Sequence, residues 1–234
     1  MLAGRFFHLQ KFNVMNVEQW VLQFLLGLGF AVGLRAQGQT CGGFISHQGQ
    51  RYATVQIGNQ CWLAENIRAT ANRSGESIPL LTSTEAWSEQ VLSPARCEIH
   101  LPGEAEPILL YNRWAAQEVC PSGWHLPSLE EWNVLASKLG GWGVAGYTMK
   151  STSSWPSKNN RTNASGFNAK PHGMRDAEGA FKFQGEGSYW WTSSDDNLLM
   201  DTWFVWIEDE TMDLFRYSFF NTMGFSVRCI QSNP

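Results

Sequence analysis

The chain has 234 residues, of which 16% are charged and 13% aromatic, with 12 tryptophans and a formal net charge of −4. This length suits one domain of ordinary size with a small appendage, and so much aromatic area argues against disorder over most of the chain. The chain is net acidic and has no cluster of Lys or Arg. It therefore lacks the basic field that nucleic-acid binding needs, and nucleic acid is excluded as the main partner.

The first predicted element is a run without charges from Trp20 to Leu34. It is short for a membrane-spanning helix, two basic residues precede it, and small residues follow it. This pattern predicts a signal peptide over residues 1–36, cleaved after Ala36. An uncleaved N-terminal anchor is the alternative interpretation, and this segment would then be the protein's contact with a membrane. The remaining residues 37–234 form the predicted exported domain, placed in the periplasm, on the outer surface or in the medium.

Five cysteines follow the predicted signal peptide: Cys41, Cys61, Cys97, Cys120 and Cys229. In an exported protein they can pair, and an odd number leaves at least one thiol free or in an intermolecular bond. The sequence contains no Cys-x-x-Cys. It therefore supports neither a zinc knuckle nor a thioredoxin-type redox site.

A β-hairpin is predicted next along the chain. Residues 51–57 alternate between polar and apolar, Gly58-Asn59 follows, and residues 60–63 form a second short run. Gly-Asn between two such runs is typical of a tight hairpin turn. Residues 69–107 differ in composition, with many Ser, Thr, Glu and Pro, and are predicted to be a long surface loop or insertion.

One helix is strongly indicated after Cys120. Ser128 followed by Glu131 has the spacing of a capping box. The helix that it opens shows one apolar stripe at helical spacing, formed by Leu129, Trp132, Leu135, Ala136 and Leu139. Gly140-Gly141 supplies the signal for the C-terminal end.

The rest of the chain is predicted as a long loop region followed by antiparallel strands. Residues 143–188 are rich in Gly, Ser, Asn and Lys, which is turn chemistry. Strands are predicted at 189–193, 202–207, 212–217 and 224–230, with a polar turn at 208–210. A helix segregated from antiparallel strands indicates an α+β fold.

Five segments resemble, in order, the Fibrobacter succinogenes major paralogous domain family, which occurs on exported proteins of Bacteroidetes and related bacteria. They are residues 50–66, Cys120 to Trp132, 165–171, 189–194 and 224–230, and the match covers about residues 44–231 with 69–107 set aside. This family is similar to the formylglycine-generating-enzyme domain within the C-type lectin-like fold. The resemblance implies that the first and last strands pair and that a long loop region carries the variable surface. It implies no particular ligand.

The resemblance also bears on catalysis. Formylglycine-generating enzymes that depend on oxygen use two cysteines near the C-terminal end, but only Cys229 stands there in this sequence. Cys120 is its more natural partner in a structural disulfide, because each residue begins or ends a core motif and closing so long a loop stabilises the fold. His125 is predicted to be a hydrogen-bonded structural residue rather than a base. No hydrolase, zinc-protease or nucleotide-binding motif is present.

A metal site is the next candidate. Asp195, Asp196, Asn197 and Asp201 offer clustered oxygen ligands after a predicted strand, and Ca²⁺ takes six to eight oxygens from such loops. C-type lectins use calcium in comparable loops, but their Glu-Pro-Asn and Trp-Asn-Asp patterns are missing here. A solvated turn is the simpler interpretation, so the expected cofactor is none, with Ca²⁺ as the alternative.

Aromatic residues in the loop region are the candidate ligand site. Exposed rings beside amide groups suit sugars, because the C–H faces of a sugar stack on rings while its hydroxyls find amides. The candidates are Trp142, Tyr147, Trp155, Asn168 and Tyr189. The alternative is that these rings fasten the loops to the core, as expected for most tryptophans on the regular elements.

Three functions follow from these observations. The first is an exported, non-catalytic, C-type-lectin-like module that binds a glycan or a surface protein. The second is an oxidoreductase of the formylglycine-generating kind, which would need a second thiol beside Cys229. The third is a structural component of an envelope or filament.

Overall fold

The computed structural model describes residues 41–90, 92–196, 201–219 and 221–232. The predicted signal peptide, residues 1–36, lies outside these ranges. Among the residues described, no helix has the length and apolar character needed to cross a membrane.

Antiparallel sheets make up most of the described chain. The strands are β1 (Phe44–His47), β2 (Gln50–Ile57), β3 (Gln60–Leu63), β4 (Arg96–Ile99), β5 (Ile108–Tyr111), β6 (Trp124–His125), β7 (Met174–Arg175), β8 (Phe181–Lys182), β9 (Gly187–Asp196), β10 (Asp201–Glu208), β11 (Phe215–Phe219) and β12 (Ile230–Gln231). A five-stranded sheet has the order β1-β2-β3-β12-β6, a three-stranded sheet has the order β11-β10-β9, and the pairs β4–β5 and β7–β8 form two further sheets.

The helices are short. They are α1 (Thr84–Ser88), α2 (Arg113–Ala116), α3 (Leu129–Lys138) and α4 (Ala145–Met149). Short helices set apart from antiparallel strands confirm the predicted α+β class. The predicted hairpin is also confirmed, since β2 and β3 pair with Ile57 opposite Gln60 across a two-residue turn.

The end of the chain pairs differently from the expectation. Among the described strands, β12 lies between β3 and β6 and not beside β1, so the first and last strands are not neighbours. The predicted terminal strand is also shorter, because residues 224–226 make isolated bridges to other segments and the strand β12 itself begins at Ile230. Its apolar residues are nevertheless buried as the alternation predicts, with Phe225, Val227 and Cys229 in one core cluster.

The predicted insertion is more ordered than expected. Residues 69–107 contain helix α1 and strand β4, and Trp87 of α1 is 1% exposed. Trp87 packs with Cys97, Leu110 and neighbouring residues in a small apolar cluster of its own. The polar composition of this segment concealed the cluster, because a few apolar side chains suffice to fasten a loop to a core.

The three-stranded sheet lies between two apolar clusters. Cross-strand neighbours share a face, so Val205 and Trp190 lie on one side of the sheet while Phe204 and Trp191 lie on the other. The first side belongs to a cluster with Trp62 and the helix α3. The second side meets the cluster that contains the Cys120–Cys229 disulfide.

Helix α3 begins and ends as its sequence predicts. The Ser128 hydroxyl accepts from the Glu131 backbone N–H, and the Glu131 carboxylate accepts from the Ser128 N–H at 2.7 Å, which completes a capping box. At the other end the N–H groups of Gly140 and Gly141 donate to the carbonyls of Ser137 and Ala136. This is the Schellman pattern, which places glycine where φ is positive, here 100° at Gly140.

Replacement of Ser128 by Ala should therefore destabilise the protein by about 1 kcal/mol, as expected for loss of an N-cap. Chemical denaturation of the variant measures this value. Ser137→Ala, near the C-terminal end of the same helix, is the control and should change stability by less than about 0.5 kcal/mol. Equal effects at the two serines would contradict the capping role.

Candidate binding site

A cleft lined by several polar and charged side chains is present in the described structure. It has a volume of about 190 Å³, and a wider outer part of about 560 Å³ shares Glu104, Lys170 and His172 with it. Distant parts of the chain form its walls: the loop after β3 (residues 64–68), Glu104 and residues 106–109, Asn168, Lys170, His172 and Arg228. Glu104 and Glu106 belong to the segment 69–107, so the predicted insertion forms part of this site.

Arg228 is a buried cation in the cleft without a carboxylate partner. It is 1% exposed, and its guanidinium makes no ion pair with any described residue. Its N–H groups donate to Asn66 Oδ1 and to the carbonyls of Leu63 and Phe167. The Cζ atom of the guanidinium lies 4.1 Å from the centroid of the Phe167 ring. Burial lowers the pKa of Arg228 to about 9, so the side chain stays charged at neutral pH.

The opposite wall carries an ion pair beside a histidine. Lys170 Nζ lies 2.8 Å from both carboxylate oxygens of Glu104. The nearby His172 imidazole and the Lys170 ammonium lower the pKa of Glu104 to about 2, against a desolvation effect that would raise it. Burial in turn lowers the pKa of His172, which favours its neutral form near neutral pH.

An aromatic face is a second surface feature. Phe204 and Trp206 of β10 and their partners Tyr217 and Phe215 of β11 lie on one side of the sheet. The rings of Trp206 and Phe215 stack with centroids 4.9 Å apart, and Tyr217 is 55% exposed. The Trp206 indole N–H donates to Glu208 at 2.8 Å, which fixes the orientation of this ring. We call these four residues the aromatic face.

The predicted ligand residues do not come together. Trp155 is 3% exposed and donates its indole N–H to the Ala169 carbonyl, and Tyr189 is 7% exposed and stacks on Phe225. Both rings fasten loops or strands to the core, which leaves little ring surface for a ligand. Their burial agrees with the alternative interpretation, in which these rings fasten the loops to the core.

The other three predicted ligand residues are half-buried. Trp142 is half-buried beneath the Arg216 guanidinium and donates to Asn133, and Tyr147 is half-buried in α4. Asn168 is the one member of the predicted set that lines the cleft. Ligand binding by these residues remains a prediction.

The predicted oxygen ligands fall on two faces of the β9–β10 pair. Asp195 accepts from Arg113 at 2.6 Å, while Asp196 accepts from Ser218, because successive residues of a strand face opposite sides. Asp201 pairs with Asp196 across the hairpin, and Asn197 lies outside the described residues. Across the described ranges, no three His, Cys, Asp or Glu side chains are grouped as a metal site requires. The hairpin therefore lends no support to a calcium site.

The cysteines are arranged as predicted, with one addition. Cys120 and Cys229 form a disulfide, and a second disulfide, which the sequence did not reveal, joins Cys41 and Cys61. Cys97 is the remaining thiol; it is buried, and desolvation raises its pKa to about 11. His125 bonds to Ser232 and Glu131, as expected of a structural residue.

The residues that sequence reasoning missed are Asn66, His172 and Arg228. Arg228 carried a usable signal, because it is a charged residue between Val227 and Cys229 in an apolar segment. A cation buried in such a segment must be solvated by protein groups. Its position within a strand-like motif instead suggested a residue that faces water.

Comparison with known proteins gives one family. The sequence profile described as the Fibrobacter succinogenes major domain matches residues 55–231 of the chain. No curated protein and no solved structure gives a significant match. The matched region contains the cleft residues from Ala64 to Arg228, the aromatic face and the Cys120–Cys229 disulfide. The chain therefore belongs to the Fibrobacter succinogenes major domain family.

Proposed function

We propose that this protein is an exported, non-catalytic binding module of C-type-lectin-like fold that takes a carbohydrate on its aromatic face. One observation carries the proposal: the Trp206 and Phe215 rings stack across β10 and β11 and are half-buried, and Tyr217 beside them on β11 is 55% exposed. Large rings left in water on a folded domain usually mark an interaction surface. Rings of this kind offer flat apolar area to the C–H faces of sugars.

The geometry of the strands suits an extended chain. Phe215 and Tyr217 are two residues apart on β11, so their side chains stand about 7 Å apart along one face. Phe204 and Trp206 repeat this spacing on β10, with ring centroids 5.4 Å apart. A polysaccharide lying along the strands can therefore meet successive rings.

Export and the absence of catalysis rest on separate observations. Two disulfides favour an oxidising compartment, because thiols are kept reduced in the cytosol. The non-catalytic part is supported by the closed Cys120–Cys229 bridge and by the burial of Cys97, which leave no reactive thiol beside Cys229. The formylglycine-generating chemistry needs such a thiol.

Substitution of aromatic-face residues tests the proposal. On a glycan array, screened with Ca²⁺ and with chelator, and in pull-down on insoluble polysaccharides, Tyr217→Ala should weaken binding of the retained glycan about tenfold, equivalent to about 1.4 kcal/mol. Trp206→Ala should weaken it at least as much, because it removes the largest ring of the aromatic face. The effect arises from lost stacking area.

Phe44→Ala is the matched control, since Phe44 is 56% exposed but lies on β1 in the other sheet. It should leave glycan binding unchanged. If the wild-type protein retains no glycan under any calcium condition, carbohydrate binding is refuted. If light scattering then shows that the protein assembles and that Tyr217→Ala abolishes the assembly, the result supports the hypothesis of a structural component. The reason is that β11 is the edge strand of its described sheet, where another chain can add a strand.

A further inference from the structure

The side chain of Asn66 organises the floor of the cleft. Its Oδ1 accepts from Arg228 Nε at 3.0 Å, from the terminal Nη2 of Arg228 at 2.8 Å, and from the Trp190 indole at 2.9 Å. Three donors at one oxygen fix the orientation of the amide. Its Nδ2 must then donate to His172 Nδ1, 3.3 Å away.

This bond determines the tautomer of His172. Because Nδ1 accepts a hydrogen bond, the proton of the neutral imidazole sits on Nε2. Nε2 is buried and finds no hydrogen-bond partner among the described residues. The nearest carboxylate oxygen, on Glu104, lies 3.8 Å away, beyond hydrogen-bond reach.

Arg228 also has one N–H group that donates to no described residue. A guanidinium carries five N–H groups, and the described residues accept four hydrogen bonds from Arg228. One N–H on Nη2 is left over, and among the described residues no carboxylate lies within ion-pair distance of this cation. The side chain of Asn66 thus holds two buried groups, each with an unused N–H, in one cleft.

The Glu104 carboxylate does not accept a hydrogen bond from His172 Nε2. Both of its carboxylate oxygens bond to Lys170 Nζ at 2.8 Å, which holds the carboxylate away from the imidazole. The remaining charges near the cleft are either paired or exposed. Arg68 Nη2 lies 3.9 Å from Glu65 Oε2, and Glu106 is exposed to solvent. The buried Arg228 is therefore the cation at the floor of the cleft that has no ion-pair partner among the described residues.

We propose that the cleft is a binding site for a small molecule with a carboxylate, such as a uronic acid, whose oxygens accept from His172 Nε2 and Arg228 Nη2. A buried donor without an acceptor is unfavourable, because it has lost its hydrogen bonds to water. An acceptor that satisfies two of them, and also offsets a buried positive charge, is strongly favoured. The outer part of the cleft, beside Lys170 and Gln184, leaves room for the rest of the molecule. This site is independent of the aromatic face.

Titration with D-glucuronate and D-glucose tests the inference, because these probes differ at one position, where a carboxylate replaces a hydroxymethyl group. Calorimetry and backbone amide chemical shifts should show glucuronate bound at least tenfold more tightly than glucose. His172→Phe, which keeps a ring but removes both nitrogens, should weaken glucuronate binding at least fivefold. Thermal melting establishes that each variant is folded.

Glu104→Gln should have the opposite effect and tighten glucuronate binding severalfold. It removes a negative charge from beside His172 and frees Lys170 to attract the ligand. A merely structural role for the Lys170–Glu104 pair would not raise affinity. Glu130→Gln, on the exposed side of α3, is the control and should bind glucuronate like the wild type.

Three results would overturn the inference: no binding of glucuronate, equal binding of glucose and glucuronate, or weaker binding by Glu104→Gln. Tyr217→Ala should leave glucuronate affinity unchanged. Failure of the carbohydrate proposal on the aromatic face is therefore distinguishable from failure of the carboxylate site in the cleft.

Discussion

Loss of the Cys120–Cys229 disulfide should reduce the free energy of unfolding by about 4–5 kcal/mol. The bridge closes a loop with a sequence separation of 109 residues, and both of its cysteines are fully buried. In the chain-entropy account, a cross-link of this length removes many conformations from the unfolded chain. The paired substitution Cys120→Ala with Cys229→Ala, measured by guanidinium unfolding, gives the value.

The Cys41–Cys61 bridge is the matched comparison, because its sequence separation is only 20 residues. Its removal by the corresponding Ala pair should cost about 3 kcal/mol, which is about 1.5 kcal/mol less than the longer bridge. Equal losses, or a larger loss for the short loop, would contradict the entropic explanation.

Thiol counting checks the cysteine arrangement itself. The native protein should react slowly or not at all, because Cys97 is buried and its pKa is raised to about 11. The unfolded but unreduced protein should show one thiol. A fast-reacting thiol in the native state would favour the oxidoreductase hypothesis over a non-catalytic module.

Replacement of Arg228 by Met should destabilise the protein by about 3 kcal/mol. The substitution removes the charged donors of the Leu63 and Phe167 carbonyls and leaves Asn66 Oδ1 with the Trp190 indole N–H. An unsatisfied buried acceptor costs about 1–3 kcal/mol. Relief from burying a charge offsets part of this loss, which keeps the expected value below a simple sum. Chemical denaturation measures it.

Arg216→Met is the matched control for this prediction. The Arg216 guanidinium also lies over an aromatic ring, 4.6 Å from the centroid of Trp142, but the side chain is exposed. Its loss should cost less than about 1 kcal/mol, as for an exposed cation–π contact. Similar losses at the two arginines would show that the buried hydrogen bonds of Arg228 contribute little.

Local patterns predicted the local structure well. The hairpin at residues 51–63 and the helix between Ser128 and Gly140 follow from contacts within a few residues, such as alternation, capping and positive φ. These interactions are present in any fold that the segment adopts, so they can be read from the sequence. The segment 69–107 was misjudged because its order depends on Trp87, a single large ring whose burial needs a partner surface elsewhere.

The candidate site is different in kind. Asn66 and Arg228 are 162 residues apart, and Asn66 and His172 are 106 residues apart. No periodicity or spacing in the sequence predicts a contact between residues so far apart. The same is true of Trp155 and Tyr189, whose loop-like neighbours suggested exposure although distant segments cover both rings.

The sequence by itself determined the family, the α+β class, the capped helix and the Cys120–Cys229 bridge. Each depends on a short motif or on a pairing between two motifs. Only the tertiary structure decided which aromatic rings face solvent, and only it brought Asn66, His172 and Arg228 into one cleft. The physical reason is that burial and hydrogen bonding of these groups depend on chain segments that fold over them, and those contacts are set by topology rather than by neighbouring residues.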